Sequence, residues 1–222
     1  MNLKEVVLAP NYPDLWRKKY FYPAIAEGKS IALIGIGDIE NYINYNWKQV
    51  DFKGFDALYL HNHSKDYRVY DIDEHTVVSA AKHGINASSH DLCNAPLPRK
   101  YDYVFAADVI EHTESPLRFL KNVSQSLRQG GIGCITTPNA DYWRNAIPWR
   151  LSENPTHLQA FTMRHLNNLI RLLSLETVVL KSFPTSSPFI ETYRPATYLF
   201  HKLAGRILSY NSLLFVFKQN KI

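Results

Sequence analysis

Residues 101–139 read YDYVFAADVIEHTESPLRFLKNVSQSLRQGGIGCITTPN, and the fold class is legible in this stretch. Tyr101–Ala107 is a short, mostly apolar run rich in aromatic residues, the signature of a buried strand. Ser115-Pro116 then reads as an N-cap followed by a proline at the first helical position. The helix it starts is predicted to run to Arg128, before Gly130-Gly131. Gly131–Thr137 is a second apolar strand, closed by Pro138-Asn139. A strand, a helix and a strand in close succession predict parallel pairing with a helical crossover.

The same alternation extends outward. Ser30–Gly37 (SIALIGIG) reads as a buried strand running into a tight turn, and Tyr67–Ile72 as a second strand. A helix over Glu74–His83 stops at Gly84, and Ile85–Ser89 is a third strand. Phe55–His61 fits either a strand or a helix, and residues 13–27 suit a leading helix. Downstream, Thr162 caps a helix over 163–173, and Glu176–Lys181 and Leu213–Lys218 are late strands suited to an antiparallel edge. The whole predicts an α/β doubly wound sheet with helices on both faces.

Ligands of such sheets bind beyond the carboxyl ends of the strands. Strand one ends in Gly35-Ile36-Gly37, where glycine admits close backbone approach, though tight-turn geometry alone would also select it. Strand two ends in Asp71-Ile72. A carboxylate there either accepts from a ribose diol or caps the next helix. Strand three ends near Asp91, an acceptor for an adenine amino group. Strand four ends in Ala107-Asp108, followed by Glu111-His112, and strand five ends in Thr137-Pro138-Asn139.

With these residues in place, the chain resembles the class I S-adenosylmethionine-dependent methyltransferases over about residues 31–181. It is nearest the subgroup with Glu-His after strand four, Gly-Gly before strand five and Thr-Pro-Asn after it. The resemblance implies a Rossmann-like, seven-stranded sheet, a parallel core with one antiparallel edge strand, and S-adenosylmethionine as methyl donor. It implies that Gly35 and Gly37 lie under the methionine and ribose moieties. Asp71 with Ile72 would serve the ribose and its surroundings, Asp91 and Leu92 would flank the adenine, and Ala107 and Asp108 would line the methionine end. The first turn departs from the family pattern. Leu33 stands where an acid is usual, and Ile39 where a third glycine is usual, with Asp38 or Glu40 as replacements for the lost acid. Leu60-His61 matches a pair found in some relatives with a long segment between strands one and two.

Methyl transfer to a hydroxyl benefits from a base that titrates near neutrality, so His112 and His157 are the catalytic candidates, with Glu111 beside them. The remaining histidines read as surface or core residues. Tyr142, Trp143 and Trp149 suit either an acceptor pocket or plain packing. A nicotinamide dinucleotide enzyme would need a third glycine after Gly37, and DIENYINY supplies none. The open alternative is a methyltransferase-like binding or scaffold protein with a degenerate donor turn.

Length and composition bound this reading. The chain has 222 residues, 45% of them hydrophobic, which suits one domain. Residues 1–30 form a helical lead-in and 31–181 the donor-binding core. Residues 182–222 form a basic aromatic helix and a last strand that complete the same domain. The two cysteines, Cys93 and Cys134, read as reduced thiols, and no contiguous Cys or His spacing suggests a metal. No signal segment and no spanning run of ~18 apolar residues is evident, so a cytoplasmic protein is expected. From Lys181 onward, six basic residues face one acid, while residues 1–180 balance at 19 against 19. That balance argues against a nucleic-acid partner. It leaves a small-molecule, glycan or lipid-linked acceptor, with membrane contact through the tail as a further expectation. The oligomeric state is not legible.

Overall fold

In the computed structural model, which describes residues 17–37, 52–142, 156–183 and 212–219, strand β1 (Ile31–Ile34) is buried at every position. A strand covered on both faces must read this way, and Ile-Ala-Leu-Ile does. It pairs in parallel with β2 (Tyr67–Asp71) on one side and β4 (Tyr101–Ala107) on the other. With β3 (Ala87–Ser89), β5 (Leu127–Pro138), β6 (Glu176–Phe183) and β7 (Ser212–Lys218), the sheet has seven strands in the order β3-β2-β1-β4-β5-β7-β6. Strand β7 runs antiparallel to both its neighbours. It sits one place in from the edge, because its SLLFVFK run is almost wholly buried and needs cover on both sides. The more exposed β6 takes the edge.

Alternate residues of each strand feed two cores. Ile31, Leu33, Val69, Phe105 and Cys134 face one way, toward α1 (Tyr22–Ala26), α2 (Phe52–His63) and α3 (Glu74–Lys82). Ala32, Ile34, Tyr70, Val104 and Ile135 face the other way, toward α4 (Pro116–Gln125) and α5 (Met163–Leu172). Helices on both faces follow from this period of two.

Local chemistry settles the element ends. Thr162 caps α5 by accepting from His165 N, as expected. Gly84, with φ of +76°, ends α3. Ser115 occupies the N-cap of α4 but makes no side-chain cap bond, so the proline at its start is the working signal there. The expected run of α4 to Arg128 is too long. Ser126 Oγ donates to Asn122 O at 2.6 Å, and Leu127 already pairs with Tyr101 in the sheet. Phe55–His61 is helical, as part of α2. The expected leading helix is seen from Arg17, as one π turn (Arg17–Phe21) and then α1. A buried bidentate pair, Arg17 to Asp56 at 2.7 and 2.6 Å, ties this lead-in to α2. The C-terminal helix expected within 182–222 falls largely on residues outside the described ones, as do Asp38, Ile39, Glu40, Trp143 and Trp149. No described helix is long and apolar enough to cross a membrane.

Two contacts in the sheet carry testable consequences. Gly133 lies opposite Phe217, and a Cβ there would come within 2.3 Å of the Phe217 ring. That ring is fully buried and stacked on Phe215 at 4.7 Å, so it has nowhere to move. Gly133→Ala is expected to destabilise the fold by about 1–3 kcal/mol, measured by urea unfolding. On the adjacent strand, at the amino end of β4, Ser30 N and Oγ both donate to Asp102 Oδ2, at 2.8 and 2.7 Å, and Arg128 approaches the same carboxylate. Burial raises the Asp102 pKa, but the Ser30 and Arg128 bonds outweigh it and hold the carboxyl below its ordinary value of 3.8. A pKa lowered by folding stabilises above that value, and the contribution is lost as pH falls through the folded pKa. Asp102→Ala should therefore lose about 0.5–1.5 kcal/mol at pH 7, a figure kept modest by solvent screening, and progressively less as pH falls below 3.8, in paired unfolding curves.

Candidate active site

The strand order reverses between β1 and β4, the point at which sheets of this kind form a ligand crevice beyond the carboxyl ends of their strands. The turn after β1 lies there. Gly35 and Gly37 hold φ of +83° and +67°, a region that a side chain disfavours. Gly35 N donates to Tyr70 O at 2.8 Å. Ile36 N donates to Asp71 Oδ2 at 2.8 Å, and Asp73 N to Asp71 Oδ1 at 3.0 Å. Asp71 thus holds the glycine turn from the neighbouring strand. The helix-capping role falls to Asp73, whose carboxylate accepts from His75 N and Thr76 N and from Thr76 Oγ1. Those Thr76 and His75 bonds keep the Asp73 pKa below the usual carboxylate value. Ile72, 69% exposed beside Asp71, offers a flat apolar surface at the rim.

His90 N donates to Asp71 O at 2.9 Å, which brings Asp91 next to the end of β2. The Asp91 carboxylate accepts from Cys93 N at 2.7 Å and Asn94 Nδ2 at 2.6 Å, so much of its capacity builds its own turn. Leu92 is buried in the core beneath, and its carbonyl accepts from Asn122 Nδ2. Ala107 and Asp108 close β4. Asp108 has φ of +51° and is locked to β5, its N–H donating to Thr136 O and its Oδ1 accepting from Thr136 Oγ1 at 3.1 Å.

Beyond this corner the structure gathers all three catalytic candidates. Glu111 and His112 lie in a short 3₁₀ turn, Ile110–His112. The chain at 156–161 is stitched across them: Leu158 N and Gln159 N both donate to Glu111 O, at 2.8 and 3.0 Å, and Ala140 N donates to Phe161 O. These bonds bring the His157 ring against that of His112, with centroids 4.8 Å apart and planes at 76°. One side-chain ligand atom of each of Glu111, His112 and His157 lies within 4.8 Å of the others. Glu111 is 1% exposed and accepts from Thr137 Oγ1 at 3.0 Å. His112 Nδ1 meets Thr156 O at 3.0 Å. Since a carbonyl only accepts, Nδ1 carries the proton, and the neutral ring presents its lone pair at Nε2.

Thr156 is the site residue that sequence reasoning overlooked, and Thr137, read there as the end of strand five, gains its role only here, as the donor to Glu111. Thr137 was visible as a strand-end hydroxyl in ITTPN, whereas the Thr156 contact uses a backbone carbonyl and leaves no trace in composition. Tyr142 lies in the turn after Asn139, with its N–H on Asn139 O at 3.1 Å. The Leu60-His61 pair serves the fold: Leu60 is fully buried, and His61 Nδ1 bonds Tyr67 OH at 3.0 Å. A cavity of about 310 Å³ among Lys65, Arg68, Asn86 and Arg99 lies at the amino end of β2, opposite to this corner. If Asp71 holds the glycine turn, Asp71→Ala should raise amide hydrogen exchange at Ile36 more than tenfold and leave the β4 amides protected.

Comparison with known proteins gives a consistent result. Residues 19–179 match a family model described as a methyltransferase domain. No curated protein matches the sequence. Among solved structures, a SAM-dependent methyltransferase from Archaeoglobus fulgidus is similar at 15% identity and a TM-score of 0.60, with 97% of this chain and 94% of that chain covered. One from Mesorhizobium loti is similar at 19% identity and 0.59, with 88% and 96% covered. Phosphoethanolamine N-methyltransferase 2 from Haemonchus contortus, solved with S-adenosyl-L-methionine, is similar at 14% identity and 0.59, with 99% of this chain and 56% of that chain covered. At these identities the likeness is one of fold.

Proposed function

The chain belongs to the methyltransferase domain family, and we propose that it moves the methyl group of S-adenosylmethionine to a hydroxyl of a small-molecule, glycan or lipid-linked acceptor. The observation that carries this reading is the pairing of two features on one sheet end: the Asp71-held glycine turn at the reversal point and the Glu111–His112–His157 group beyond β4.

The residues fit the donor. Positive-φ glycines leave the Gly35–Gly37 backbone open to close approach, and Asp71 at the end of β2 has the acceptor chemistry for a ribose diol. Ile72 gives an exposed apolar face for a purine ring, and Ala107 and Asp108 border the same corner. The sulfonium of the bound donor supplies an already electrophilic methyl group. The protein's task is then to orient the acceptor and take its proton. His112, with Nδ1–H on Thr156 O, is set as a base at Nε2, and His157 packs edge-on against it. The excess of basic residues after Lys181 supports an acceptor met at an anionic surface, reached from the cytoplasm.

Leu33 is buried in the core at a position where the family carries an acid. That observation favours the second reading, a methyltransferase-like protein that binds or scaffolds without turnover. Calorimetric titration with S-adenosylmethionine and its demethylated product separates the two. The enzyme reading expects saturable binding that Asp71→Ala weakens more than tenfold while thermal stability changes little. It also expects His112→Ala or His157→Ala to lower transfer of labelled methyl into extracts split into aqueous, glycan and lipid fractions, with donor affinity unchanged. No heat and no thermal shift at millimolar donor would sink the donor assignment. Full transfer in both histidine variants would remove these residues from catalysis.

A further inference from the structure

We infer that Glu111, His112 and His157 together form a binding site for one divalent first-row transition cation such as Zn²⁺, Mn²⁺ or Fe²⁺. Two imidazoles and one carboxylate on one side of a centre are a donor set these ions favour, whereas Mg²⁺ and Ca²⁺ prefer all-oxygen cages. The three ligand atoms lie within 4.8 Å of one another. Ligands about 2.0–2.2 Å from a common metal stand about 3.4 Å apart in tetrahedral geometry. Modest ring rotations close that difference, and His112 and His157 both keep access to solvent.

The groups around the three residues are those a metal site needs. A coordinating histidine commonly donates its other ring N–H to a backbone carbonyl, which fixes the tautomer and the ring plane. His112 does so through Nδ1 to Thr156 O at 3.0 Å. A coordinating carboxylate is commonly held by a further hydrogen bond, and Glu111 Oε2 accepts one from Thr137 Oγ1 at 3.0 Å. The backbone of Glu111 is clamped by Leu158 N and Gln159 N, immediately after His157, so two of the ligands sit on segments joined directly to each other. Three protein ligands leave positions for water or for an acceptor oxygen, and a hydroxyl coordinated there gives up its proton to solvent more readily. This role in catalysis rests on the methyl-transfer reading above; the existence of the site does not.

The test is binding of the metal alone to the full chain stripped with chelator, followed by calorimetry for Zn²⁺ and by electron paramagnetic resonance for Mn²⁺. The expected result is one equivalent bound with a micromolar Kd. Affinity should fall at least thirtyfold in His112→Ala and in His157→Ala, and about tenfold in Thr137→Val, which removes only the bond that orients Glu111. Glu111→Gln tests the carboxylate directly, and if it fails to fold, the histidine and threonine variants still decide the question. Donor titration of the same variants should show wild-type affinity, which keeps failure of the metal site distinct from failure of the donor reading. No binding of either ion at millimolar concentration, or equal affinity in the His112→Ala/His157→Ala double variant, overturns the proposal.

Discussion

The molecule depends on one strand being paired on both sides. Ile31–Ile34 bonds in parallel to β2 and to β4, and the chain can satisfy both only by reversing its order across the sheet. The reversal leaves the turn after β1 without a crossover helix from the same side above it, and a crevice results. Three consequences share that origin: the glycine turn faces the crevice, the β2 carboxylate reaches across to hold it, and the end of β4 opens beside it. Substitutions that spare the β1 pairing can change the ligand chemistry. Substitutions that disturb it remove the site.

The second constraint is a set of backbone bonds that fold the chain at 156–161 back over the end of β4. Glu111 O receives two N–H groups, and Asn139 and Ala140 bridge to Phe161. None of these bonds involves the side chains of Glu111, His112 or His157, yet together they decide that His157 meets His112. A buried carboxylate sits under the two rings. A metal ion and a proton compete for the same nitrogen lone pairs there, and the chemistry of the corner follows from which of them occupies it.

Much of this was open to reading in the residues. Buried strands announced themselves as short apolar runs: IALI and YDYVFAA need only length and hydrophobicity to be recognised. The cap at Thr162 and the stop at Gly84 follow from local hydrogen-bond chemistry that acts within four residues, whereas the cap before α3 is Asp73 and not Asp71. The end of α4 did not follow, because Ser126 and Leu127 are recruited by the neighbouring strand, a tertiary force that overrides helix propensity. The place of β7 was half legible. Its apolar run marked a strand, and its complete burial, which puts it inside rather than at the edge, depends on β6 folding over it.

The site divides in the same way. The sequence by itself determined which residues carry chemistry at each strand end, because a strand's length and the turn that follows it are local properties. It also determined the two-faced burial of the sheet, through the alternation of side chains. Only the tertiary structure decided what those residues do together. Asp71 holds the glycine turn while Asp73 takes the cap, and Leu92 packs in the core with its carbonyl held by Asn122. Glu111 and His112 found His157 across a long stretch of chain, where no spacing rule applies. The contact is made by backbone groups whose partners are set by the path of the chain and not by residue type.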